Sequence, residues 1–166
     1  APENTILVAG EPLGIQTYDA KYLSQFGTVI TPRRDIQHPR AMHMQTGLPW
    51  FIGVGLSKQN CTVHSTYDTL KALHPVPKNR LVSVICSDRN MTSGHARRQA
   101  FVKRLSETLG EQVEIFGRGV KSMHDKSEAL LPYKYHIVLE NASTGDYWTE
   151  KLADSLNTSL APTQTS

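Results

Sequence analysis

The residues best suited to chemistry lie near the C-terminus, in YKYHIVLENASTGDYWTEK, Tyr133 to Lys151. Glu140 and Asn141 stand where an apolar run stops, and Glu150 and Lys151 stand where a helix is expected to start, with Tyr147 and Thr149 just before. Carboxylates and amides accept from hydroxyls, and an ammonium answers negative charge, so the order suits an anionic sugar nucleotide. Lys151 is the odd member. A cation at a helix start meets the unfavourable end of the dipole, which a phosphate neighbour would explain; in an arbitrary helix such a lysine is simply solvated.

Two further sites offer charge. HARRQAF sets Arg97 and Arg98 early in a helix, and a guanidinium can grip two phosphate oxygens at once, which an ammonium cannot. The plain alternative is that Arg97, Arg98, Lys103 and Arg104 form a solvated helix face. Glu11, in VAGEP, follows a short apolar run and is presented by a Gly-Glu-Pro turn; an exposed turn glutamate is the alternative there.

The elements that must position these groups read as α/β. Tyr135, Ile137 and Leu139 alternate with His136, Val138 and Glu140 in the manner of an interior strand. Before it come a strand at Leu81 to Cys86, an amphipathic helix at Gly94 to Leu109 with Phe101, Val102, Leu105 and Leu109 inward, and a strand at Val113 to Phe116. Strand, helix and strand in that order predict a parallel sheet. Gly117-Arg118-Gly119 lacks the third glycine and the Gly-Lys-Ser/Thr of phosphate loops and reads as a turn. A short helix at Lys126 to Leu131, stopped by Pro132, completes half a Rossmann domain, whose ligands bind outside the carboxyl ends of the strands.

Upstream, strands are expected at Thr5 to Ala9 and Thr28 to Thr31 with a helix around Asp19 to Phe26 between them, then a long loop from Pro32 to Pro49. A helix at His64 to Leu73 ends at Pro75 and Pro77, where the domain boundary is placed. The expected organisation is therefore 1–77, 78–156 and a polar, disordered tail at 157–166.

Composition narrows the classes. The 166 residues carry a formal charge of +3, unevenly: residues 78–135 hold 11 Lys and Arg against 6 Asp and Glu, a region that prefers anions. No apolar run approaches the roughly 20 residues of a membrane helix. Aromatics at 7% and the lack of a base-reading motif argue against nucleic acid as a partner. Cys61 and Cys86 have neither zinc-site spacing nor disulfide density and read as small buried residues. The seven histidines make no helical pair with a nearby acid, so no metal site is expected.

The C-terminal stretch resembles the signature of the α1,3-fucosyltransferases, in which a Tyr-Lys-Phe strand leads into Phe-Glu-Asn-Ser and, after a short loop, Tyr-x-Thr-Glu-Lys. Glu140, Asn141, Tyr147, Thr149, Glu150 and Lys151 match; Leu139 replaces Phe and Ala142 replaces Ser. Arg98 with Phe101 is similar to the family's Arg-x-x-Phe, Gly10-Glu11 to its Gly-Glu turn, and Phe116-Gly117 to its Phe-Gly turn. The resemblance implies a GT-B architecture of two Rossmann-like domains facing a cleft. It also implies a GDP-fucose donor held in the C-terminal domain without a metal or other cofactor, and inverting transfer to a hydroxyl of an N-acetylglucosamine- or glucose-containing glycan in α1,3 linkage. The implied roles are Glu11 as base, Arg98 and Lys151 on the diphosphate, Glu150 on the ribose, Tyr147 and Asn141 lining the donor pocket, and Glu140 orienting neighbours or contacting the sugar. Arg118 would approach the donor.

The family continues beyond Glu-Lys-Leu through further elements that Asn157 to Ser166 does not resemble. The expectation is a fragment whose unfinished sheet edge favours self-association. A truncated, non-catalytic remnant that binds nucleotide weakly, or serves as an interaction surface, is the rival reading. Localisation stays unknown: cytoplasmic or membrane-associated for a bacterial chain, Golgi lumen for a eukaryotic one.

Overall fold

Short runs rich in β-branched residues form the strands, and their apolar faces set two parallel sheets. The computed structural model describes residues 2–47, 50–56, 61–73, 76–88, 92–143 and 145–159. The fold is mixed α/β and Rossmann-like, and the chain divides into two units, residues 1–48 with 142–149, and residues 49–141 with those from 150 on.

In the first unit β1 (Ile6–Val8), β2 (Thr28–Thr31) and β3 (Ala41–His43) form a parallel sheet in the order β1-β2-β3. Leu7 faces inward while Ile6 and Val8 are exposed, the two-residue period of a strand covered on one face. Asp19 caps the short helix α1 (Ala20–Leu23) by accepting from Tyr22 N at 2.6 Å, and Leu23 joins Ala9, Val29 and Ile36 in the core. β3 lies inside the stretch expected to be a loop. Its three residues carry no periodic signal, and only pairing with β2 reveals them as a strand.

The second unit opens with an antiparallel pair, β4 (Val54–Leu56) and β5 (Cys61–Val63), followed by α2 (Tyr67–Lys71), which Thr66 caps. Its main sheet contains β6 (Arg80–Ile85), β7 (Val113–Phe116) and β8 (Tyr133–Ile137), all parallel, in the order β7-β6-β8. Helix α3 (Ser93–Leu109) packs Val102, Leu105 and Leu109 on Val82, Val84 and Cys86. On the opposite side of β6, Ser83 Oγ donates to the carbonyl of Ala129 in α4 (Ser127–Leu130), and Ile85 packs on Phe116, Ala129 and Tyr133.

Several expectations need correction. Phe101 is 44% exposed, because the inward stripe of α3 runs His95, Arg98, Val102, Leu105 and Leu109 at helical spacing, leaving Phe101 about 100° to one side of Val102. β8 is an edge strand among the described residues, and Tyr135 on it is 64% exposed, so it is not the interior strand its apolar run suggested. Cys86 is buried as expected but Cys61 is exposed.

The division of the chain also differs from the expected boundary at residue 77. Ile52 and Leu70 cluster with Leu130, and Asp154 Oδ1 accepts from Phe51 N and Ile52 N at 2.5 and 2.8 Å, so residues 50–73 group with the second unit. Prolines stop a helix locally; burial decides which core a segment joins. His74 and Pro75 lie outside the described residues, as do residues 160–166 of the expected tail. Asn157 to Ser159 complete the helix α5 (Glu150–Ser159) instead of fraying.

Candidate functional site

The strand order β7-β6-β8 creates the site. From β6 the chain crosses over through α3 to β7 on one flank, then returns through α4 to β8 on the other, so α3 and α4 cover opposite faces of the sheet. The two crossovers diverge between β6 and β8, a topological switch point, and in open α/β sheets ligands bind at such a point, outside the carboxyl ends of the strands. Those ends are Ile85 to Ser87 and Val138 to Asn141.

Arg98 reaches this rim from α3. It is 8% exposed; Nη1 donates to Asn141 Oδ1 and Nη2 to the Ile85 carbonyl at 3.3 Å, one contact at each strand end. Its Nε is buried and has no hydrogen-bond partner. Such an orphan donor on a charged group is costly. Arg97, one residue back, is exposed. The first turn of α3 is fixed by Thr92, whose Oγ1 accepts from His95 N at 3.3 Å, and by Gly94, where any Cβ would collide with the carbonyl oxygen of Asn141.

Lys151 comes to the same rim from α5. Its Nζ lies 3.1 Å from Glu150 Oε1 and 3.7 Å from Glu140 Oε2. Arg98 and Lys151 thus stand on different helices and meet consecutive residues, Asn141 and Glu140. Burial pushes the Glu150 carboxyl up, but the charge and hydrogen bond of Lys151 and the charge of Lys126 outweigh it and hold the group below the ordinary carboxylate range. Lys126 Nζ pairs with Asp154 Oδ2, lies 4.0 Å from Glu150 Oε1 and sits over the Phe51 ring.

Beneath these groups is a hollow of about 20 Å³ lined by Ile85, Lys126, His136, Leu139, Lys151 and Asp154, room for a water and not for a sugar. Because Ser83 Oγ gives its proton to Ala129, it must accept from His136 Nδ1 at 2.8 Å, which fixes the tautomer. Burial, with the nearby Lys126 charge, lowers the imidazole to about 4 although a hydrogen bond at Ala129 works the other way. It is neutral at ordinary pH.

The remaining candidates fall elsewhere. Glu11 and Tyr147 belong to the first unit. Glu11 is exposed at the turn after β1, and the turn is anchored by the buried Arg33, which donates to the carbonyls of Gln16 at 2.6 Å and Glu11 at 3.5 Å and pairs with Asp35. Tyr147 is half-buried in the segment 142–149, which Arg34 holds through Asp146 at 2.5 Å and Gln45 through the Trp148 carbonyl at 3.4 Å. Arg118 is exposed and engaged by Asp88 at 2.9 Å. Among the described residues no group of three or more His, Cys, Asp or Glu could hold a metal ion, and no helix is long and apolar enough to cross a membrane.

The second unit therefore pairs Arg98 with Asn141, and Lys151 with Glu140 and Glu150. Sequence reasoning missed Lys126, Asp154, Arg33, Ser83 and His136 as members of the polar framework. Asp154, one turn after Glu150 on α5, was the one with a readable signal.

The model of glycosyltransferase family 10 (fucosyltransferase), C-terminal part, matches residues 75–165, more than half of the chain. No curated protein and no solved structure matches it significantly.

Proposed function

Because the chain belongs to glycosyltransferase family 10, the fucosyltransferases, we propose that GDP-fucose binds at the carboxyl ends of β6 and β8 and that the protein transfers fucose with inversion to a glycan hydroxyl. The acceptor we assign is an N-acetylglucosamine- or glucose-containing glycan and the linkage α1,3, within a GT-B arrangement. The observation that carries the reading is the buried guanidinium of Arg98, short of one acceptor, at a topological switch point.

In this reading Arg98 and Lys151 bind the diphosphate and stabilise the charge that grows on it as the bond from the anomeric carbon to phosphate breaks. Glu150, ionised, accepts from ribose hydroxyls. Asn141 and Tyr147 line the donor pocket, and Glu140 orients Lys151 or meets the sugar. The acceptor oxygen forms the new bond to the anomeric carbon and its proton passes to Glu11; GDP departs. Side-chain cations carry the leaving-group charge, so no metal or other cofactor enters the scheme.

Calorimetric titration with GDP and GDP-fucose, followed by turnover on an N-acetyllactosamine acceptor with and without excess EDTA, tests it. Binding of both nucleotides and turnover indifferent to EDTA are expected. A folded chain that gives no heat with either nucleotide at millimolar concentration refutes the donor site, and binding without turnover on any acceptor marks a nucleotide-binding remnant.

A further inference from the structure

Glu150 Oε1 faces two ammonium groups. Lys151 Nζ lies at 3.1 Å and Lys126 Nζ at 4.0 Å, and Lys126 is itself bonded to Asp154 Oδ2. Asp154 is fixed in turn, since its other oxygen accepts from Phe51 N and Ile52 N. The side chains of Asp154, Lys126, Glu150 and Lys151 are only 2%, 20%, 23% and 22% exposed, so each charge depends on its neighbours more than on water. Among the described residues, Glu140 and His136, at the end of β8, are the other titratable groups facing this row.

An anion that docks on Lys151 competes with Glu150 for the same ammonium. With Lys151 as its sole counterion, Glu150 would be left as an unpaired, largely buried carboxylate, or would have to take up a proton. Lys126 supplies a second counterion at that oxygen, anchored independently by Asp154. Resting on the donor-site reading above, we propose that Lys126 is a positioning residue that keeps Glu150 paired and ionised when a nucleoside diphosphate draws Lys151 toward its phosphates.

The test uses the full chain, GDP as probe and calorimetry near pH 6 in buffers of different ionisation enthalpy, which counts protons taken up on binding. Lys126→Met is expected to bind GDP about tenfold more weakly, the order of one charge-assisted contact, and to take up a proton that the parent does not. Lys126→Arg should restore both values. Unchanged affinity and proton count in Lys126→Met overturn the inference; so does weaker binding with no extra proton, which a merely structural loss would give. If Lys126→Met does not fold, the parent decides through carbon NMR of Glu150. Its titration midpoint should stay in place when GDP is added, and a rise of about one unit, a tenfold loss of ionisation, overturns the inference. A parent chain that binds no GDP overturns the donor site itself and the inference with it, whereas a negative variant result on a GDP-binding parent overturns the inference alone.

Discussion

Arg98 carries a buried charge whose two terminal nitrogens are spent on the ends of two strands while Nε meets no acceptor. Arg98→Ala and Lys151→Ala are each expected to weaken GDP binding by about 1.5 to 3 kcal/mol, the range of a hydrogen bond to a charged group, measured calorimetrically. His136 has a different consequence. Its imidazole titrates at about 4 in the folded chain against 6.5 in the unfolded one, so between those values the unfolded chain binds the extra proton. Stability should therefore fall by on the order of 2 to 3 kcal/mol as pH drops through that window, and His136→Gln should flatten the slope in urea titrations. Glu150, held low, loses its share at more acid pH, as pH falls from its ordinary 4.5 through its lower folded value. The choice of Arg98 over Arg97 was available from helical spacing, since Arg98 falls on the stripe of Val102, Leu105 and Leu109. Lys126 was not legible, because its meaning depends on Asp154, a residue 28 positions later that folding brings beside it.

At the scale of elements the site depends on a close approach between the first turn of α3 and the strand end at Asn141. Only a hydrogen fits between the Cα of Gly94 and that carbonyl. Gly94→Ala should separate them at a cost of about 1 to 3 kcal/mol in chemical unfolding and weaken GDP binding through the displaced Asn141. A proportionate loss in both measurements is expected; intact GDP affinity in a destabilised chain would detach the turn from the site. The strands β6 and β7, the helix α3 and the short α4 could be read from period and punctuation, because each buries a regular stripe. The strand β3 and the edge position of β8 could not, since both are properties of pairing partners and not of the segments themselves.

For the whole molecule, membership of the two units separates the two proposed roles. Glu11, the proposed base, belongs to the first unit, and the groups proposed to hold the nucleotide around Arg98 and Lys151 belong to the second. Glu11→Gln should abolish fucose transfer in a turnover assay while leaving the GDP dissociation constant within experimental error. A variant that retains full rate removes Glu11 from the chemistry, and one that also loses GDP means the first unit contributes to nucleotide affinity. Two sets of strands were visible in the sequence. The membership of residues 50–73 was not, because it rests on apolar contacts to Leu130 and on the carboxylate of Asp154.

The two cysteines differ in a way that equips the molecule for observation. Cys61 is open to solvent, whereas Cys86 lies 5% exposed directly after Ile85, the residue whose carbonyl Arg98 holds. A thiol-selective dye can therefore tag the native chain at one position, and the slow appearance of a second tag clocks how often the strand end at the proposed nucleotide site breathes open.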